Sequence, residues 1–216
     1  MKVLVTGANG QLGQDVIREL KEQHIECLGT TRDMLDLTDE HSAHRLIIEY
    51  SPDIVVHCAA YTAVDKAEDE IELCRKVNVD GTKYVVDACK VIDAKLMYIS
   101  TDYVFPGTGT SFYQINDEKG PKNVYGQSKL DGEKIVKQYL DKYFIVRISW
   151  VFGIHGNNFV KTMLRLGETH SILRVVDDQI GSPTYTEDLS KLLVSMIQTD
   201  KYGICLLYTS PSPRDR

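Results

Sequence analysis

Three groups of residues in this chain have types and spacings that chemistry can use. Tyr125-x-x-x-Lys129 places a phenol and an amine about one helical turn apart on one face. A free tyrosine has a pKa of about 10, too high for ready proton exchange at neutral pH. An ammonium beside it stabilises the phenolate and lowers that value. The pair then suits donating a proton to a carbonyl oxygen while the carbon beneath it accepts hydride. Ser100-Thr101-Asp102 supplies a hydroxyl, that of Thr101, able to hold the same oxygen. With 12 Tyr among 216 residues, about one Tyr-x-x-x-Lys pair arises by chance, so its surroundings must carry the argument.

The third group is Gly7-Ala8-Asn9-Gly10-Gln11-Leu12-Gly13, a G-x-x-G-x-x-G string. It follows an apolar run and opens an amphipathic one, the context in which such a loop binds a dinucleotide. Glycines permit the tight turn and let backbone N–H groups approach a pyrophosphate, and the helix N-terminus adds partial positive charge. Cofactor choice is read after the second strand. An acid there accepts from a ribose 2′-OH and repels a 2′-phosphate. This chain has Gly29-Thr30-Thr31-Arg32, two hydroxyls and a guanidinium that suit a phosphate. NADPH is therefore expected over NADH, with Asp33 and Asp36 close enough to serve NADH as the alternative.

These groups need elements to hold them, and the hydrophobic pattern provides them. Short apolar runs at 2–6, 25–29, 54–58, 95–100 and 143–148 read as strands. Helical spacing is expected over 11–23, 38–50 (with Thr38 as N-cap), 67–92 as one long helix, and 123–139. A long loop fills 101–120, and Asn123, two residues before Tyr125, reads either as a residue that positions this loop or as turn chemistry. After Trp150 the pattern loosens, with helices at 158–166 and 186–198 and a short strand at 173–176. Alternating strands and helices imply an α/β fold, a doubly wound parallel sheet covered on both faces. Ligands of such sheets bind at the carboxyl ends of the strands, where Thr101 falls. The expected organisation is a dinucleotide-binding domain over 1–150 and a partial substrate lobe over 151–204.

Composition bounds the classes. The chain is 43% hydrophobic and 26% charged, enough apolar content for a real core. A net charge of −6 argues against a nucleic-acid binder. Five Cys without metal or disulfide spacing suit a reducing compartment. No apolar run reaches membrane-spanning length, and Met1 leads directly into a strand, so a cytoplasmic chain without a signal peptide is expected. His57, inside the apolar run IVVHC, reads as a hydrogen-bonded sheet histidine. Cys58, Cys74 and Cys89 read as small buried or helix residues. Residues 205–216, CLLYTSPSPRDR, lack periodicity. Their first eleven residues look like the translation of a transposase adapter used in sequencing libraries, so this segment is expected to be a non-native tail replacing the true C-terminus.

Together these residues resemble the extended short-chain dehydrogenase/reductase family. The strings VTGANGQLG, CAAYTAVDKAE, YISTDYVFPG, NVYGQSKLDGE, RISWVFG, GNNFVKTM and DDQIGSPTYTEDL narrow the resemblance to the dTDP-4-dehydrorhamnose reductases, in order over residues 1–204. The resemblance implies a Rossmann-like fold and NADPH-dependent reduction of the C4 ketone of a dTDP-4-dehydro sugar. Carried over, Gly7, Gly10, Gln11, Leu12 and Gly13 contact the pyrophosphate, and Asp36 and Leu37 flank the adenine. Ala59, Ala60 and Tyr61 line the nicotinamide side. Thr101, Tyr125 and Lys129 are the catalytic trio, with Lys129 also on the nicotinamide ribose. Thr101, Asp102 and Trp150 contact the sugar nucleotide, and residues 151–158 continue the pocket wall. Some members place acids and magnesium at a dimer contact. Asp15 and Glu187 are the corresponding positions and a homodimer the corresponding assembly. A further acid near the C-terminus is absent, so no metal is assigned and both side chains are expected to be solvated. The missing end implies an incomplete substrate lobe, so the function of the encoded family is distinct from the competence of this chain. Two alternatives stay open: a nucleotide-sugar epimerase or dehydratase that recycles bound NAD, and a non-catalytic regulator resembling the methionine adenosyltransferase partner subunit.

Overall fold

The computed structural model describes residues 1–108, 111–177 and 179–207. Its main sheet is six-stranded, in the order β2-β1-β3-β4-β5-β8. The strands are β1 (Lys2–Thr6), β2 (Glu26–Thr30), β3 (Ile54–His57), β4 (Lys95–Thr101), β5 (Tyr143–Ile148) and β8 (Gly203–Leu206), and every neighbouring pair is parallel. After β1 the chain winds outward to β2, then returns to place β3 on the other side of β1. The reversal leaves a crevice above the carboxyl ends of β1 and β3, the switch point where doubly wound sheets take ligands.

Strand alternation sorts the core into two layers. Leu4, Val55, Leu96, Tyr98 and Ile145 face one side, packing with α2 (Glu40–Tyr50), α5 (Gly81–Val91) and α6 (Val124–Tyr139). Val3, Val5, Ile54, Val56, Met97, Phe144 and Val146 face the other, under α1 (Gln11–Glu22) and α8 (Thr186–Ile197). Because both faces are covered, the strands are almost uniformly apolar. Among the described residues no helix is long and apolar enough to cross a membrane.

Several elements differ from the sequence expectation. The segment predicted as one helix over 67–92 is continuously helical over 71–91, as α4 (Ile71–Arg75), a π-helical turn (Lys76–Asp80) and α5, while residues 68–70 separate it from a short α3 (Val64–Ala67). Periodicity alone does not separate an α-turn from a π-turn that keeps the same apolar face inward. Asp39, not Thr38, caps α2, accepting from the His41 N–H at 3.0 Å. Thr38 is occupied with Asp36, donating its N–H and its hydroxyl to the same Oδ1 at 2.8 Å each. Residues 173–176 form no strand. The short strands after Trp150 are instead β6 (Val151–Phe152) and β7 (Thr184–Tyr185), paired in parallel across 31 intervening residues. Phe159–Thr169 forms α7, capped by Asn158. β8 pairs with β5 through the register Phe144↔Gly203 to Arg147↔Leu206, so Cys205 and Leu206 of the segment expected to be non-native are sheet residues. The rest of that segment from 208 onward lies outside the described residues.

Candidate active site

β1 hands the chain to the glycine loop. Gly7 has φ +66°, and a Cβ there would lie 2.8 Å from the Ala59 backbone, so both the conformation and the approach of the loop after β3 require glycine. A Cβ on Gly13 would lie 2.2 Å from the Gly7 carbonyl oxygen, which fixes how closely α1 meets the turn. The first turn of α1 then points its N-terminus into the crevice.

That crevice is a cleft of about 850 Å³ running along the carboxyl edge of the sheet. Gly7, Gly10, Gln11, Leu12 and Gly13 line it beside β1; Arg32, Asp36 and Leu37 line it beyond β2. Ala59, Ala60 and Tyr61 line it after β3; Thr101 and Asp102 after β4; Tyr125 and Lys129 from α6; and Trp150 after β5. From the segment expected to continue the wall, Val151, Gly156 and Asn157 reach it. Asn158 ties that segment to the glycine loop by donating to Gln11 Oε1 at 3.0 Å. Thr30 is the exception. It is 1% exposed within the sheet, with its hydroxyl turned to the Val5 carbonyl, and Thr31 takes its place at the cleft wall. The reason is strand alternation: β2 runs through Thr30, one residue further than expected, and adjacent side chains point oppositely.

α6 presents the phenol and amine. Asn123 caps it, accepting from the Gly126 N–H at 2.7 Å, a contact typically worth about 1 kcal/mol. Lys129, one turn on, is 2% exposed and Thr101 5%. Burial pulls the Lys129 amine down to about 7, with the Glu133 carboxylate acting in the opposite direction. Burial pushes the Tyr125 phenol above its ordinary value, while the Thr101 hydroxyl, hydrogen-bonded to it, lowers it. The spacing alone predicts a phenol acidified by its amine; in the fold, burial raises the phenol and lowers the amine, and the group that lowers the phenol is Thr101. Burial likewise raises the Asp102 carboxyl.

The residues bracing this trio are the ones that sequence reasoning missed. Asn78, in the π-turn, accepts from the Tyr61 N–H at 2.8 Å and donates to the Tyr61 carbonyl at 3.1 Å and to Ser128 Oγ at 2.9 Å. It therefore joins the loop after β3 to the turn of α6 between Tyr125 and Lys129. Arg147 on β5 forms a bidentate pair with Glu133, and Ser100 donates to the same carboxylate at 2.6 Å. Both members of the pair are nearly excluded from solvent. An arginine in the apolar run YFIVRI and a glutamate one turn beyond Lys129 were the available signals.

His57 is a sheet histidine, as expected: Nδ1 lies 2.8 Å from Thr6 Oγ1, and burial pulls the ring down to about 3. Cys74 and Cys89 are buried, and Cys58 is half-buried at the cleft, its thiol pushed up to about 12 by burial. Asp15 departs from the solvated role expected of it. It is 2% exposed, accepts from the Thr186 hydroxyl and pairs with Arg18 at 3.1 Å. α8 packs on α1 and covers it. Glu187 is partly exposed and meets Arg18, Tyr185 and Lys191. Among the described residues no cluster of three His, Cys, Asp or Glu is placed to hold a metal.

Comparison with known proteins places this geometry in a family. The family model described as RmlD substrate binding domain matches residues 1–205. The spore coat polysaccharide biosynthesis protein SpsK of Bacillus subtilis is 43% identical over 96% of this chain and 76% of its own length. A dTDP-4-dehydrorhamnose reductase of Aggregatibacter actinomycetemcomitans is 40% identical over 94% of this chain and 71% of its own. The crystal structure of a dTDP-4-dehydrorhamnose reductase from Bacillus anthracis in complex with NADP superposes with a TM-score of 0.94 at 44% identity, over 98% of this chain and 76% of that one. The chain thus spans about three quarters of these relatives. From the glycine loop through the last sheet strand, it belongs to the RmlD family of dTDP-4-dehydrorhamnose reductases, within the extended short-chain dehydrogenases/reductases.

Proposed function

We propose that this chain carries the site for NADPH-dependent reduction of the C4 ketone of dTDP-4-dehydro-L-rhamnose, giving dTDP-L-rhamnose. The observation that supports it most is convergence: Thr101, Tyr125 and Lys129 share one cleft with the glycine loop at the carboxyl edge of the sheet. The residues present fit a dinucleotide. The turn at Gly7 leaves no room for a side chain, and the Gly10 N–H closes it by donating to the Gly7 carbonyl at 2.9 Å, so backbone N–H groups from residues 11–13 can reach a pyrophosphate. Asp36 and Leu37 then flank the adenine, Ala59, Ala60 and Tyr61 the nicotinamide, and Lys129 its ribose.

NADPH is favoured over NADH by Thr31 and Arg32. The Arg32 side chain is 75% exposed and only 3.7 Å from Asp36, a loose surface pair that leaves the guanidinium free to meet a phosphate. The Thr38 N–H and hydroxyl hold the Asp36 carboxyl below its usual range and occupy it.

NADPH, when bound, supplies hydride to the ketone carbon. The Thr101 hydroxyl holds the ketone oxygen, and Tyr125 Oη gives that oxygen its proton. The Lys129 ammonium stabilises the phenolate left behind, and solvent returns the proton to Tyr125. Asp102 and Trp150 contact the sugar nucleotide. Trp150 is held at φ +45°, with Gly181 so close that a Cβ there would lie 2.5 Å from the indole.

The test is loss of NADPH absorbance with the dTDP-4-keto-6-deoxy sugar. Tyr125→Phe is expected to lower kcat by about 10²- to 10⁴-fold with NADPH affinity retained. Equal turnover by Tyr125→Phe, or an epimerised product without net NADPH loss, overturns the assignment.

A further inference from the structure

We infer that Tyr98 is a positioning residue for Lys129: the face of its ring, presented from β4, holds the charged amine at the cleft floor through a cation–π contact. Lys129 Nζ lies 3.9 Å from the centroid of the Tyr98 ring. The ring is fully buried, so the contact is shielded from water, the condition under which such pairs are strongest. The arrangement is fixed from both sides. The Tyr98 hydroxyl donates to the Lys129 carbonyl at 3.3 Å, so the same side chain grips backbone and amine. α6 makes space with Gly132, where a Cβ would lie 2.2 Å from Tyr98 Oη.

The surroundings explain why a ring face matters here. Around the amine stand Glu133 on α6, Cys74 on α4, His57 at the end of β3 and Cys58 just after it. The Cys58 thiol and the His57 ring are both held neutral by burial, and the Tyr98 phenol is held neutral in the same way. Glu133 is the charged neighbour, and Arg147 engages both of its oxygens. A quadrupole with its negative face toward Nζ supplies attraction without adding a second buried charge.

The inference rests on the proposed role of Lys129 and not on which keto sugar is bound. It is tested by comparing Tyr98→Phe with pentafluorophenylalanine introduced at position 98, which keeps the ring's shape while making its face electron-poor. The readout is the titration midpoint of Lys129 by carbon NMR of lysine-labelled protein without added cofactor, the signal being assigned by its absence in Lys129→Met. The native chain should titrate at about 7, and Tyr98→Phe should stay close to it. The fluorinated ring should lower the midpoint by about one unit or more, at least tenfold in proton affinity. The alkaline limb of kcat for NADPH oxidation should move with it. Equal midpoints for the two rings would overturn the inference, because a merely structural ring acts through shape alone. A shifted midpoint together with NADPH oxidation that Tyr125→Phe leaves unchanged would leave this inference standing and overturn the reductase reading.

Discussion

Breaking the buried pair between Arg147 and Glu133 gives a sharp test of how the active-site scaffold is held. Arg147 Nε donates to Glu133 Oε1 at 2.8 Å and Nη2 to Oε2 at 2.7 Å, while Nη1 donates to the Ile115 carbonyl at 3.1 Å. Arg147→Met removes all three bonds and leaves the Glu133 carboxylate with Ser100 as its donor. Stranding one member of a buried pair typically costs about 3–5 kcal/mol, because the remaining charge has lost both water and partner. For a chain of this size, that corresponds to a fall in Tm of about 6–20 °C. Glu133→Leu should cost a similar amount by stranding the guanidinium. The double variant should lose far less than the sum, ending within about 2 kcal/mol of the native chain, since neither charge is then buried alone. Urea unfolding followed by circular dichroism, with the slope checked for constancy, measures all three. Additive losses, with coupling below about 0.5 kcal/mol, would refute the reasoning and mean that the two charges are solvated in solution.

Other outcomes follow from the same geometry. Gly13→Ala forces a methyl to within 2.2 Å of the Gly7 carbonyl; calorimetry should show NADPH affinity falling at least about tenfold, with about 1–3 kcal/mol of stability lost. Arg32→Ala should raise the KM for NADPH about tenfold or more and leave that for NADH unchanged, as expected for losing one charged phosphate contact. His57 is held neutral down to about pH 3, whereas an unfolded histidine takes its proton near pH 6.5. The unfolded state therefore binds more protons between those values. Stability conferred by the neutral ring is full above about pH 6.5 and declines as pH falls toward 3, by up to about 1.4 kcal/mol per unit. Urea midpoints for His57→Gln across that window should show a shallower acid limb.

Much of this was legible locally. A glycine loop between a strand and an amphipathic helix, and a Tyr and Lys one turn apart, are short-range patterns, and their chemistry follows from types and spacing. The fifth strand and the helix carrying Tyr125 and Lys129 fell within a residue of their observed bounds, because a continuous apolar run marks the strand and the loop chemistry of Asn123, in the structure a cap, marks the helix start. The elements missed were those whose partners lie far away. β6 and β7 are two residues each and exist through one another across 31 positions. β8 is a strand because β5 offers it an edge. Thr30 and Thr31 look equivalent in sequence, and the length of β2 chose between them.

By itself, then, the sequence determined the alternation of strands and helices, the glycine turn that opens the first helix and the spacing of Tyr125 and Lys129 along one helix face, since each depends on neighbours within about one helical turn or one strand. Only the tertiary structure decided the electrostatic state of those side chains. Burial moved Lys129 down and Tyr125 up, Tyr98 came beneath the amine from a strand 31 residues away, and Arg147 met Glu133 across the sheet–helix interface. Proton affinity in a cleft is set by which groups exclude water and which charges remain near, and that is a property of the packed chain.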